Sequence, residues 1–474
     1  MLFNTFEFLL FFLIVFVLFF SFPQKRRWVV LLASSYFFYG YWKPGYLILI
    51  ASSTISDYFI SNAIYKLKNQ KTKKNLLFLS ISLNLSLLFL FKYFDFIAES
   101  FNDLSGIAGS DYKLKLLNLI LPVGISFYTF QTMSYTIDVY NGKLKPEKHF
   151  GIFSLFVAFF PQLVAGPIER ASNLLPQFHK KTEINYDRFA SGAQLILWGL
   201  VKKIIIADRV GIVANEIFNS YQDYHGFTLI IGVIFFAFQI YCDFSGYSDI
   251  AIGTARVFGY DLIKNFNSPY FSISLTDFWR RWHISLSTWF KDYVYIPLGG
   301  NRTLKWRWYF NLWITFLISG LWHGANWTFV LWGAIHGFGL ILENMLNLSK
   351  ERRFNLIRKL WIFGVVCLGW IFFRANSIED ALEYISKIFI LNTYSLEQIS
   401  PYIVPFAKNT VFSMDFILGY FTITMLLLVE HHLIIKKRWK IIPGAMKVLI
   451  CSTATTAIFI IRVFEMNEFI YFQF

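Results

Sequence analysis

Long apolar runs, each closed by a short polar or charged stretch, recur along this chain from its first residues to its last ten. A helix that crosses a bilayer needs roughly 20 mostly apolar residues. Runs that meet or approach this length are read at 2–22, 28–42, 45–65, 75–97, 117–138, 150–168, 190–210, 226–258, 308–323, 327–347, 360–374, 412–430 and 443–463. Their ends are set only to within several residues, and some are expected to re-enter the membrane or to lie tilted in its interface. The polar stretches between them leave no room for a large soluble domain. The expected fold is an all-α, polytopic membrane protein with a single domain over residues 1–474.

Composition agrees with the pattern and narrows it. Of 474 residues, 56% are hydrophobic, 20% aromatic and 15% charged, a balance that water would not keep in solution. The formal net charge of +15 raises nucleic acid as a partner, but the Lys and Arg residues form short clusters between apolar runs, so no nucleic-acid role is expected. The first run has no basic residue before it and no small-residue cleavage pattern after it, and is read as an anchor. Cys242, Cys367 and Cys451 lie in apolar segments without a CxxC pair, so neither a disulfide framework nor a thiolate metal site is indicated.

The charged loops give an orientation. Lys25 to Arg27, Lys66 to Lys74, Lys143 to Lys148, Lys350 to Lys359 and Lys436 to Lys440 are basic. They alternate with more acidic loops holding Glu99, Asp103 and Asp111, and later Glu379, Asp380, Glu383 and Glu397. The positive-inside rule puts the basic loops in the cytoplasm and both termini outside. By the same rule the stretch from Asp261 to Trp308, with Arg280, Arg281, Lys291, Arg302, Lys305 and Arg307 among many aromatics, lies at the cytoplasmic face, where a polyanionic donor could dock. No internal repeat or low-complexity tract is evident.

Among eight histidines, location separates the chemistry-bearing ones. His149, His179, His225, His431 and His432 sit near charged loops and read as interfacial side chains. His323 sits in SGLWHGANW between two apolar runs, where an ionisable group is costly enough to imply a function. An imidazole can take a proton from a hydroxyl and return it to a leaving group; the plain alternative is a neutral histidine hydrogen-bonded between helices. Gly320 and Gly324 predict a broken or closely packed helix there. On one continuous helix His336 would point about 220° away from His323, at about 100° per residue, so a shared metal site is not expected and His336 reads as a residue that packs or that supports the site from behind. His283 lies in FWRRWHISLSTWFKDY. There Arg280 and Arg281 either snorkel from an aromatic belt or offer guanidinium forks to donor phosphates. In YCDFSGYSDIAIG, Asp243 and Asp249 fall inside an apolar span; Tyr241, Ser245 and Ser248 or Asp249 share one helix face. Such a stripe lines a lumen or makes hydrogen bonds that pack helices, and Tyr241, Asp243, Ser245 and Asp249 are grouped with Asn326 as tunnel-lining candidates. PLGGNR at 297–302 lacks a P-loop ending, and no GxSxG elbow is present, which argues against ATPase and serine-hydrolase chemistry.

These motifs together resemble the membrane-bound O-acyltransferase family, most closely its alginate O-acetyltransferase branch. The resemblance rests on PVGISFYTFQTMSYTIDVY at 122–140, FFPQLVAGPIER at 159–170, YCDFSGYSDIAIG at 241–253, FWRRWHISLSTWFKDYVYIPLGGNR at 278–302 and LWHGANWTFVLWGAIHG at 321–337. It implies a helical shell around a funnel or tunnel, with His323 matching the family's invariant histidine and His283 its second functional position. It also implies an acetyl group taken from cytoplasmic acetyl-CoA, with no bound cofactor or metal, and delivered to an extracytoplasmic polysaccharide or a periplasmic acetyltransferase-like partner across the bacterial inner membrane. The compact YIPLGGNR stretch differs from the longer insertion of the branch that moves D-alanine from a carrier protein to teichoic acid. A transporter or flippase of an activated precursor, and a non-catalytic assembly subunit, are the readings from other classes.

Overall fold

The computed structural model describes residues 1–164, 166–224, 226–347, 355–390, 410–436, 438–461 and 469–470. His225, residues 391–409 with Glu397, and most of the C-terminal run lie outside the described residues. The chain is all-helical, with no strand among the described residues, and is a multi-pass membrane protein. Among the described residues, five helices are long and apolar enough to cross a bilayer: Pro44–Lys66, Gln70–Ile107, Gly226–Val257, Leu356–Arg374 and Met414–His432. The described chain divides into two compact units, one of Met1–Ile196 with Ile250–Lys264, the other of Leu197–Asp249 with Asn265–Phe474.

The first unit is built from α1 (Phe6–Ser21), α2 (Arg27–Gly40), α3 (Leu47–Lys66), α4 (Gln70–Leu88), α5 (Phe94–Ile107), α6 (Ile125–Tyr140), α7 (Phe150–Ala158), α8 (Phe160–Leu163), α9 (Ala171–Phe178) and the start of α10 (Tyr186–Leu200). Phenylalanines repeating at helical spacing supply its core: Phe11 meets Phe160 edge-on at 5.2 Å, and Phe19 meets Phe258 at 5.3 Å. Asp57 on α3 is buried and closed off by α4, accepting from Ser80 Oγ at 2.5 Å and Asn84 Nδ2 at 2.8 Å.

Two expected spans are shorter than read. The run at 117–138 becomes helical only at Ile125, after Gly124 in the left-handed region at φ 76°. The residues before it have their amides satisfied by side chains instead of a helix. Leu117 and Asn118 donate to the Asp95 carboxylate at 2.8 and 2.9 Å, and Leu114 donates to Asn102 Oδ1 at 2.7 Å. The run at 150–168 breaks at Phe159, and α8 restarts with Pro161 in its first turn, where the missing N–H costs nothing.

The second unit holds the rest of α10, a π-helical segment Val201–Ala207, α11 (Asp208–Asn219), most of α12 (Gly226–Val257), α13 (Leu275–Trp279), α14 (Ile284–Phe290), α15 (Lys305–His323), α16 (Trp327–Met345), α17 (Asn355–Arg374), α18 (Ile378–Ile388), α19 (Thr410–Val429) and α20 (Gly444–Ile461). α15 and α16 form a hairpin, not one continuous helix. Gly324 ends α15, and Asn326 caps α16 by accepting from the Thr328 amide at 3.0 Å. The two helices touch at Gly320 and Gly333, where an added Cβ would stand 2.2 Å from the Phe329 carbonyl oxygen and 2.3 Å from that of Phe316. Small residues at such a crossing let backbones approach, as in membrane helix pairs generally.

Candidate active site

Two pieces of chain meet in the second unit to make the site. The first is the turn carrying His283. Its approach is anchored by α13, whose amides are capped by Ser274 Oγ, accepting from Asp277 N at 3.0 Å, and by the buried Glu343 of α16. The Glu343 carboxylate accepts from the Leu275 amide at 2.5 Å, the Thr276 amide at 3.1 Å and the Thr276 hydroxyl at 2.6 Å. After α13 the chain enters the left-handed region at His283, φ 41° and ψ 56°. Residues other than glycine rarely sit there, and when they do the surrounding structure holds them. Here the hold is Asn265, whose backbone carbonyl accepts from the Ile284 amide at 2.8 Å. Its side-chain Oδ1 accepts from the Ser285 amide at 3.2 Å and the Ser285 hydroxyl at 2.9 Å, and lies 3.1 Å from His283 Nδ1.

The second piece is the α15–α16 hairpin, which ends α15 on His323. The rings of His283 and His323 lie 6.5 Å apart, centroid to centroid, with exposures of 0% and 2%. Aromatic rings wall them in. His283 meets Phe244 at 4.6 Å and Trp322 at 6.1 Å; His323 meets Trp322 at 5.0 Å, Trp332 at 4.9 Å and Phe373 at 5.5 Å. Burial pushes the His283 imidazolium down to about 3, so the ring is neutral at physiological pH.

His336 is equally buried, one ring further on, between Trp332 at 5.0 Å and Trp279 at 5.1 Å. Neither of its ring nitrogens has a hydrogen-bond partner among the described residues, and its Nε2 closes on Gly369, where a Cβ would stand 2.6 Å away. This is the packing role expected, although the hairpin removes the continuous-helix geometry behind that expectation. Among the other histidines, His149 caps α7 by accepting from the Ile152 amide at 3.2 Å, and His179 pairs with Glu147 at 2.8 Å.

The remaining candidates separate. Arg280 is exposed, whereas Arg281 is held by Asp277 at 2.8 Å. Asn326 serves as the α16 cap and also donates to the Asn376 carbonyl at 3.1 Å. The stripe on α12 meets protein partners absent from the sequence expectation. Lys202 reaches Asp249 at 2.6 Å and Ser245 Oγ at 2.9 Å, and Lys203 lies between Asp243 at 2.8 Å and Asp208 at 2.9 Å. Tyr241 donates to Glu430, and the Ile470 amide donates to Asp243 at 2.7 Å. These contacts tie the stripe to neighbouring helices. Sequence reasoning passed over Lys202 and Lys203, although two lysines inside LILWGLVKKIIIAD were a visible signal of buried ion pairs. It also passed over Asn265, Ser285 and Glu343, which nothing in their local pattern marks.

Comparison with known proteins bears on this site. Residues 149–349, which include both histidines, match the membrane-bound O-acyltransferase family. The chain is 39% identical over 403 residues to a probable alginate O-acetylase of Pseudomonas putida, covering 84% of this chain and 82% of that protein. It is 38% identical over 405 residues to a peptidoglycan O-acetyltransferase of Helicobacter pylori, covering 79% and 76%. Against a teichoic acid D-alanyltransferase of Bacillus subtilis the identity is 28% over 286 residues, covering 55% and 70%.

Proposed function

Because this chain belongs to the membrane-bound O-acyltransferase family and is an O-acyltransferase, we propose that it moves an acetyl group from cytoplasmic acetyl-CoA to a hydroxyl of an extracytoplasmic polysaccharide, directly or through a periplasmic partner protein. The relatives named for alginate and peptidoglycan acetylation support acetyl over D-alanyl, since they match more of the chain at higher identity. Both polymers are chains of sugars bearing hydroxyls, so the acceptor class is a polysaccharide hydroxyl at the outer face of the bacterial inner membrane. The basic stretch around Arg280 supports a cytoplasmic donor site, with the exposed guanidinium of Arg280 meeting donor phosphate and Arg281 remaining on Asp277.

In this reading His323 is the general base. It takes the proton from the acceptor hydroxyl as that oxygen attacks the thioester carbonyl; the carbon–oxygen bond forms, the carbon–sulfur bond breaks, and the proton passes to the departing thiolate. The single observation that carries this is the pairing of two buried histidine rings 6.5 Å apart inside an aromatic enclosure. Rings that exclude water strengthen proton transfer and guard the thioester from hydrolysis. Purified protein in vesicles, given acetyl-labelled acetyl-CoA and an extravesicular polysaccharide with its partner, is expected to label the polysaccharide, and His323→Ala to abolish it at unchanged protein level. Full labelling by His323→Ala would refute the role of His323.

A further inference from the structure

Asn265 is buried and meets the His283 turn at the Ile284 amide, the Ser285 amide and hydroxyl, and His283 Nδ1, which the Ser285 hydroxyl, already donating to Asn265, approaches only to 3.4 Å. Its orientation is fixed by chemistry. The Ser285 backbone N–H can only donate, so the atom facing it at 3.2 Å must be the amide oxygen, and the amide nitrogen is left to donate to Ser248 Oγ at 3.1 Å. The same oxygen stands 3.1 Å from His283 Nδ1, where two lone pairs would repel. Nδ1 therefore carries the hydrogen and donates it, and in the neutral ring the lone pair belongs to Nε2.

Resting on the acyltransfer reading above, we infer that Asn265 is a positioning residue that fixes His283 in the Nδ1–H tautomer, so that its Nε2 relays the acceptor's proton from His323 to the thiolate. A neutral His283 in this tautomer cannot donate to the thioester oxygen from Nε2, which sets this role apart from oxyanion stabilisation. The balance is simple. The hydroxyl oxygen bonds the carbonyl carbon and gives its proton to His323; His323 passes it across the gap between the rings to Nε2 of His283; Nε2 gives it to sulfur as the carbon–sulfur bond breaks. Both imidazoles end neutral. Burial serves the last step, because an imidazolium that the site disfavours surrenders its proton readily. Among the rings that meet His283, Phe244, Phe266 and Trp322 carry no charge, and His323 is a second imidazole.

The test uses the full-length protein in lipid vesicles with ring-nitrogen-labelled histidine. The His283 resonances, assigned by their loss in His283→Gln, are expected to show a protonated Nδ1 and a bare Nε2; a protonated Nε2 overturns the inference. Kinetics supply a second arm. Asn265→Ala is expected to lower kcat about 10-fold or more while KM for acetyl-CoA stays within about twofold. Asn265→Asp, which sets a carboxylate against Nδ1–H, is expected to move the acid limb of the rate profile upward by about one pH unit or more. An acid limb unmoved in a folded Asn265→Asp protein overturns the inference as well. If the wild type fails to transfer label, the acyltransfer reading falls and the tautomer measurement still stands on its own; a protonated Nε2 in an active wild type sinks this inference alone.

Discussion

Asp57 in the first unit and His283 in the second are both ionisable and fully enclosed, yet their surroundings differ in kind. The Asp57 carboxylate accepts from Ser80 and Asn84, and Asn84 Oδ1 in turn accepts from Ser53 at 2.7 Å and Thr132 at 3.3 Å. That cluster ties three helices together with neutral side chains, all in ordinary helical backbone. His283 sits on a left-handed turn, its Nδ1 claimed by Asn265 and its ring walled by aromatics and a second histidine. A closed hydrogen-bond network stabilises the fold; a backbone held in a disfavoured conformation to present a ring to another titratable ring points to chemistry.

If that contrast is right, changes in the two regions must separate activity from stability. The largest effect is expected at His323. His323→Ala should lower acetyl transfer by about 100-fold or more, with unfolding temperature nearly unchanged, read by labelled-product assay and thermal unfolding of the same preparation. Next comes the lysine cluster of the second unit. Lys203→Met removes the ammonium between Asp208 and Asp243 and leaves two buried carboxylates facing one another, a loss of about 3–5 kcal/mol. It should show as poor yield and a lower unfolding midpoint, with activity per folded molecule little changed. Asp57→Ala should cost less, about 1–3 kcal/mol, for the donors of Ser80 and Asn84 left unmet. Transfer per folded molecule by Asp57→Ala should equal that of the wild type; a loss like that of His323→Ala would erase the distinction between the two regions.

The smallest effect is a pH response. His283 is held near 3 in the folded protein against 6.5 in an exposed chain, so the unfolded state takes up a proton first as pH falls. The stability this group contributes is complete above about 6.5 and is lost progressively as pH drops toward 3. Between pH 7 and 6 the wild type should therefore lose slightly more stability than His283→Gln, measured by denaturant unfolding in one detergent.

Much of this was legible in the chain. Hydropathy alone gives the all-helical membrane fold, because the bilayer forces apolar runs into helices. Gly320 and Gly324 announced the close, broken helix that sets His323 at the end of α15, and the WHG and RWH elements marked the two histidines that the fold brings together. What stayed hidden depends on distant pairing. Asn265 is an ordinary polar residue in a loop until it meets a turn 18 residues later. Glu343 reads as a stray charge near the end of a helix until it caps α13. The helix start at Ile125 was obscured because apolar residues 117–122 look helical, while Asp95, far back in the chain, takes up the amides of Leu117 and Asn118.

In the proposed function this protein cleaves an acyl thioester and hands the group to a hydroxyl through the His283–His323 pair. Vesicles holding the purified wild type should be given acetyl-CoA labelled in both the acetyl group and the coenzyme on the side of the basic loops, with polysaccharide acceptor and its partner on the other. If this mechanism holds, acetyl label appears on the polysaccharide, coenzyme label is retained as thiol on the first side, and neither product forms with His323→Ala. Intact doubly labelled thioester crossing the membrane, or equal polysaccharide labelling by His323→Ala, would contradict it.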